Sequence, residues 1–185
     1  MDNGACSYRR FLDGQDEGIV EIVQGYKDGL ILYLNSVVGN VLLAEELAED
    51  TFFRLMVKKP RFSGKSVFKT WLYAIGRHVA LDALRRRAKL ADAPIEDAEE
   101  VLADKADLER DFLREERRIL VHRTMERLPA DYRQILWLSY FEGLSNAEAA
   151  AVMGKNDRQI RNLLYRAKQS LKTELEQEGF TYEDV

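Results

Sequence analysis

Cysteine, histidine and proline are scarce in these 185 residues, with one, two and three copies respectively. A lone cysteine, Cys6, cannot close an internal disulfide, and it reads as an incidental thiol in a flexible N-terminal end, residues 1–15. The two histidines, His78 and His122, stand at no ligand-like spacing, so no metal is expected. Long apolar runs are missing too. The longest, Leu30–Ala44, is interrupted by Asn35, Ser36, Gly39 and Asn40 and falls short of the roughly 20 residues that a bilayer span needs. The N-terminal stretch has no apolar core followed by a small-residue cleavage site, so no export signal and no membrane insertion are expected, and the expected location is cytoplasmic. There is no nucleophile paired with a base, no Gly-rich phosphate loop and no metal-ligand cluster, which argues against an enzyme and against a cofactor.

What the chain does have is charge, unevenly spread. The formal net charge is -4 with a pI near 5.4. Yet Lys58–Lys89 holds ten Lys/Arg against one acid, Asp82, for a local +9, whereas Asp92–Asp111 holds nine acids against Lys105 and Arg110, for a local -7. A second basic block lies around Arg158, Arg161, Arg166 and Lys168.

Apolar residues recur three and four apart, and no stretch keeps a strand's period of two, so the expected class is all-α. Residues 16–89 read as one helical domain with three stripes: Ile19, Ile22, Val23 and Tyr26; Leu43, Leu47 and Thr51 flanked by Ala48, Phe52 and Leu55; and Phe68, Leu72, Ile75, Val79 and Ala83. Between the second and third lies "KKPRFSGKS", an ordered loop in which Pro60 and Gly64 stop helices. Residues 90–111 form an acidic, flexible linker. Periodicity resumes with Phe112, Ile119, Leu120 and Met125, and a second small domain spans 112–175, with Pro129 opening a helix that carries Ile135, Leu136, Leu138 and Tyr140. A tail, 176–185, ends the chain.

Within the second domain Ser145 with Glu148 makes a capping box, and Asn156 with Gln159 repeats it eleven residues later, with Gly154 between them. Two helix starts so close together force a helix-turn-helix. On its second helix Ile160, Leu163, Leu164, Ala167 and Leu171 share one side, while Arg158, Arg161, Asn162, Tyr165 and Gln169 share the other. Guanidinium and amide groups are those that pair with guanine and adenine edges in the major groove. An arginine-rich solvated face would look similar; the paired capping boxes favour DNA contact.

Three stretches, in order, resemble the sigma-70 factors of bacterial RNA polymerase, in particular the short extracytoplasmic-function (ECF, group IV) type. "AEELAEDTFFRL" is similar to region 2.2; "FSGKSVFKTWLYAIGRHVALDALRRRAK" to regions 2.3 and 2.4; "LPADYRQILWLSYFEGLSNAEAAAVMG" to region 4. The resemblance covers 16–89 and 117–175, and the lack of a region 1.1 and of a full region 3 marks the ECF type. It implies a dissociable transcription initiation factor in which the first domain binds the polymerase clamp and opens the minus-10 element. The second domain would read the minus-35 element beside the flap, and an anti-sigma factor would hide both faces. The acidic linker would thread toward channels that otherwise hold nucleic acid.

The residues expected to carry these roles follow from their chemistry. Glu45, Glu46, Glu49 and Asp50 form an acidic patch suited to a basic polymerase surface. Unpaired bases are held by stacking and by basic grooves, at about 1–3 kcal/mol per stacked base. Phe68, Leu72 and Ile75 share a core stripe, so the minus-10 set is Arg61, Ser63, Lys65, Lys69, Trp71, Arg77 and His78, with Arg85, Arg86 and Arg87 on phosphates. The minus-35 set is Ser145, Arg158, Gln159, Arg161, Asn162, Tyr165 and Arg166. His78 stands where the family commonly has asparagine, and Leu163 where relatives often carry arginine, so promoter preference does not transfer. The competing reading is a dimeric repressor or activator that uses the same helix-turn-helix on paired half-sites without polymerase.

Overall fold

A computed structural model describes residues 3–90 and 120–178, and all its regular elements are helices. The first group comprises α1 (Asn3–Leu12), α2 (Glu17–Val38), α3 (Val41–Lys58) and α4 (Phe68–Leu90). The second comprises α5 (120–126), α6 (Ala130–Leu136) with a π-helical turn over Trp137–Phe141, α7 (Asn146–Met153) and α8 (Asp157–Gln177). Among the described residues no helix is long and apolar enough to cross a membrane, and no group of three or more potential metal ligands occurs.

The boundaries follow local chemistry. Gly39, at φ 70°, ends α2, and one residue later the Asn40 side chain accepts from the Leu43 amide at 2.8 Å to start α3. The expected stripes face inward: Ile22, Ala44, Leu55, Phe68, Leu72 and Val79 are fully or almost fully buried. Truncating such a leucine to alanine costs about 2–5 kcal/mol. The Thr51 hydroxyl, buried in the same layer, donates to the Leu47 carbonyl at 2.7 Å, which satisfies it without leaving its own helix.

One expectation is corrected. Residues 1–15, read as a flexible end, instead include α1, which buries Ser7, Tyr8 and Phe11 against α2 and α4. The apolar side of this helix is short, but its aromatic rings meet partners from the loop and helix that follow α3. Tyr140, on the helix that Pro129 opens, is exposed. The π turn explains it: the Glu142 amide bonds the Trp137 carbonyl five residues back, and the extra residue rotates the following side chains off the α-helical register. The linker from 91 on, Phe112, Ile119 and residues 179–185 of the tail lie outside the described residues, while α8 continues two residues past the expected domain end.

The two groups of helices pack on one another, α2 against α6 and α4 against α7. Their buried apolar side chains form one continuous cluster from Tyr8 to Ala167.

Candidate nucleic-acid interface

Both capping boxes form as the sequence requires. The Ser145 backbone amide donates to Glu148 Oε2 at 2.8 Å while the Ser145 hydroxyl accepts from the Glu148 amide at 3.3 Å. Asn156 and Gln159 exchange the equivalent pair at 2.9 Å each. Gly154, at φ 64°, ends α7 between them, and Lys155 is tied to Asp131 of α6 at 3.0 Å. Hydrogen bonds from the Ser145 hydroxyl and amide hold the Glu148 carboxyl below the ordinary glutamate range.

The helix so anchored, α8, sends Ile160 and Ala167 into the core with Leu163, Leu164 and Leu171 half-buried, and leaves Arg158, Gln159, Arg161, Asn162, Tyr165, Arg166 and Gln169 exposed. Gln159, Asn162 and Arg166 line an open groove together with Tyr132, Lys155 and Leu163. Two members of the minus-35 set have prior engagements. The Ser145 hydroxyl also donates to Glu148 at 2.6 Å, and Gln159 Oε1 accepts from Asn156, which leaves the Gln159 amide NH2 as its outward group. Arg161 pairs with Asp157 at 2.6 Å, but both side chains are more than half exposed, so solvent screens the pair and the guanidinium stays accessible.

The minus-10 set divides in two. Arg61, Ser63, Lys65 and His78 are exposed, as are Arg85, Arg86 and Arg87 near the end of α4. The His78 Nδ1 lies 2.7 Å from the Ala74 carbonyl, so that nitrogen carries the proton and donates within the helix, and Nε2 is the outward one. Trp71 is half-buried, packed against Tyr8, Phe62 and Phe68 at 5.1–5.4 Å between ring centroids.

Lys69 and Arg77 reach toward the second group of helices. Lys69 Nζ is 2.5 Å from Glu142 Oε2 and donates to the Glu142 carbonyl at 3.0 Å, and Arg77 Nε donates to Gln134 Oε1 at 2.9 Å. In the opposite direction Arg133 Nε donates to the Ser36 carbonyl at 3.2 Å. The Glu142 side chain is only 9% exposed and also accepts from Trp137 Nε1 at 3.3 Å. Tyr73 hydrogen-bonds it as well, and burial first, then the Glu142 charge, push the Tyr73 hydroxyl well above the ordinary tyrosine value. Gly29 on α2 makes room: a Cβ there would lie 2.6 Å from the Tyr73 hydroxyl and 3.1 Å from Glu142 Oε1.

On α3, Glu45, Glu46, Glu49 and Asp50 are all exposed, and none of them is in an ion pair among the described residues. They do not stand alone. Leu42, Phe53, Met56 and Val57 are exposed on the same helix, and at 100° per residue the eight fall in a sector about 140° wide. The acids are conspicuous in the sequence and the apolar members are not. The available signal was the doublet Phe52-Phe53, whose two rings cannot both face one core.

Residues 22–90 match the family model described as Sigma-70 region 2, and residues 118–171 match the one described as Sigma-70, region 4. The RNA polymerase sigma-H factor of Pseudomonas aeruginosa is 35% identical over 177 residues, covering 85% of this chain and 92% of that protein. The ECF RNA polymerase sigma factor SigW of Bacillus subtilis is 25% identical over 170 residues, covering 88% and 91%. Among solved structures, the sigma factor RpoE of Bartonella quintana, co-crystallised with the anti-sigma factor NepR, superposes with a TM-score of 0.66 at 23% identity, covering 84% of this chain and 95% of that one. With both regions present in this order, and a relative matched over nearly its whole length, the chain belongs to the sigma-70 family as an ECF-type alternative sigma factor, a transcription initiation factor.

Proposed function

We propose that this sigma factor docks on core RNA polymerase through the exposed face of α3, captures the unpaired minus-10 strand with the loop 59–67 and α4, and reads the minus-35 element with α8. The observation that carries the reading is the exposed polar face of α8, set on a doubly capped turn with its apolar face in the core. Guanidinium and amide groups early in such a helix have the geometry for base edges in the major groove. On α3, four carboxylates with exposed Leu42 to one side and exposed Phe53, Met56 and Val57 to the other combine apolar surface with charges that steer a basic partner. The positive charge of Arg85, Arg86 and Arg87 suits phosphates.

Control by an anti-sigma factor belongs to the same proposal, supported by the Bartonella quintana relative of like fold, which is seen with its anti-sigma factor. The test is reconstitution. The purified chain is expected to co-purify with core polymerase and to confer promoter-specific run-off transcription. Glu49→Lys combined with Asp50→Lys is expected to abolish that association while helix content and unfolding temperature stay unchanged. Specific binding to paired half-sites by a dimer, without polymerase, would instead establish the repressor reading.

A further inference from the structure

The loop 59–67 has an unusual anchorage, and its first two residues are held by α1. Lys59 caps α3 at φ 41° and ψ 55°, and it is the one non-glycine residue with positive φ among the described residues. A side chain rarely sits there unless its surroundings hold it. Here the Lys59 amine lies over the Phe11 ring, 4.9 Å from its centroid. One residue on, the Tyr8 hydroxyl donates to the Pro60 carbonyl at 2.8 Å. Two further on, Phe62 packs against Trp71 at 5.1 Å and edge-on to Phe68 at 5.6 Å, the same two rings that Tyr8 touches at 5.3 and 5.6 Å. Tyr8 and Phe11 thus hold the loop at its first two residues and share the ring cluster that seats Phe62. Arg61, Ser63 and Lys65, the exposed residues interleaved with these anchors and just beyond, are held by none of them.

The helix α1 is itself fixed from behind. The Ser7 hydroxyl donates to Glu21 Oε2 at 2.6 Å, and Arg10 pairs with Glu21 Oε1 at 2.5 Å, both across to α2. We propose that Tyr8 and Phe11 of α1 are positioning residues for promoter opening: they set the shape of the loop so that Arg61, Ser63 and Lys65 converge on one unpaired base. The inference rests on the assignment of this loop to the minus-10 strand. Its physical logic is that a base-reading loop must be held in advance, because ordering it at the moment of binding subtracts from the affinity of every contact it makes.

The experiment uses the full chain assembled with core polymerase. The probe is a pool of fork-junction DNA with a randomised double-stranded upstream segment and a randomised single-stranded downstream segment, from which bound molecules are selected and sequenced. Tyr8→Phe removes one hydroxyl and keeps the ring. Lys59→Gly relaxes the left-handed backbone while releasing the contact with Phe11, so it cannot act by unfolding the cap. Each variant is expected to lower the enrichment of the preferred single-stranded bases by about 2- to 10-fold, the range of one lost hydrogen bond or cation–π contact. Enrichment in the double-stranded segment and the yield of assembled complex are expected to stay at wild-type levels, which general destabilisation would not leave untouched. Variant profiles that match the wild type overturn the inference. A wild-type complex that enriches no single-stranded sequence overturns the minus-10 assignment itself.

Discussion

Glu148 shows how one side chain connects local sequence to a measurable property. Its carboxylate accepts from the Ser145 amide and hydroxyl, which holds its folded-state pKa below the unfolded value. A depressed carboxylate contributes stability that is present above its ordinary pKa, about 4.3, and is lost as pH falls through the folded value. Glu148→Gln keeps a capping side chain, as Gln159 does in the second box, but removes the titration. The variant is therefore expected to lose less unfolding temperature than the wild type between pH 6 and pH 3.5, followed by circular dichroism. Parallel acid limbs would show that the box is equally stable with a neutral Glu148. Both boxes were readable in advance because they are contacts three residues apart. That the Gln159 carbonyl is consumed by its own cap, leaving only the amide NH2 to face outward, became visible only with atoms placed.

At the scale of the element, the polar faces of α3 and α8 were legible because each follows the 3.6-residue period. The same period reveals that Arg158 and Arg161 share a face, and the structure leaves both exposed. Arg158→Ala and Arg161→Ala are each expected to weaken holoenzyme binding to the upstream promoter element by about 1–3 kcal/mol where the side chain reads a base. A side chain that contacts only phosphate would instead lower the salt slope by about one while leaving sequence preference alone. Binding titrations at several salt concentrations separate these outcomes, and unchanged affinity in both variants would remove α8 from the interface. Two elements were not legible. The aromatic residues of α1 find partners some fifty to sixty positions away, at Pro60, Phe68 and Trp71, and local periodicity carries no such information. The π turn at Trp137–Phe141 inserts one residue into an otherwise helical pattern and leaves Tyr140 exposed, and a 3.6-residue period carries no sign of it.

At the scale of the molecule, the basic block of the first group of helices and the acidic Glu142 of the second meet in one contact. Lys69, a member of the minus-10 set, is held by the Glu142 carboxylate and carbonyl, and Arg77, another member, by Gln134. In this arrangement those two cations are occupied, while Arg61, Lys65 and His78 remain open to solvent. The pair is partly buried: Glu142 is 9% exposed and Lys69 32%. Removing one partner of a buried pair costs about 3–5 kcal/mol, and the exposure of Lys69 reduces that figure here. Glu142→Gln keeps the shape and an acceptor for Tyr73 and Trp137 but withdraws the charge that faces Lys69. The free variant is therefore expected to sample wider separations of the two groups of helices, seen as a larger radius of gyration in solution scattering. It is also expected to bind single-stranded DNA several-fold more tightly than the wild type at low salt, because a cation is returned to the surface proposed to face the strand. If, as proposed, the two groups engage separate surfaces of core polymerase, the two assembled complexes are expected to bind DNA alike. Identical scattering and identical single-strand affinity in the free proteins would mean that the Glu142 contact has no hold on access to Lys69.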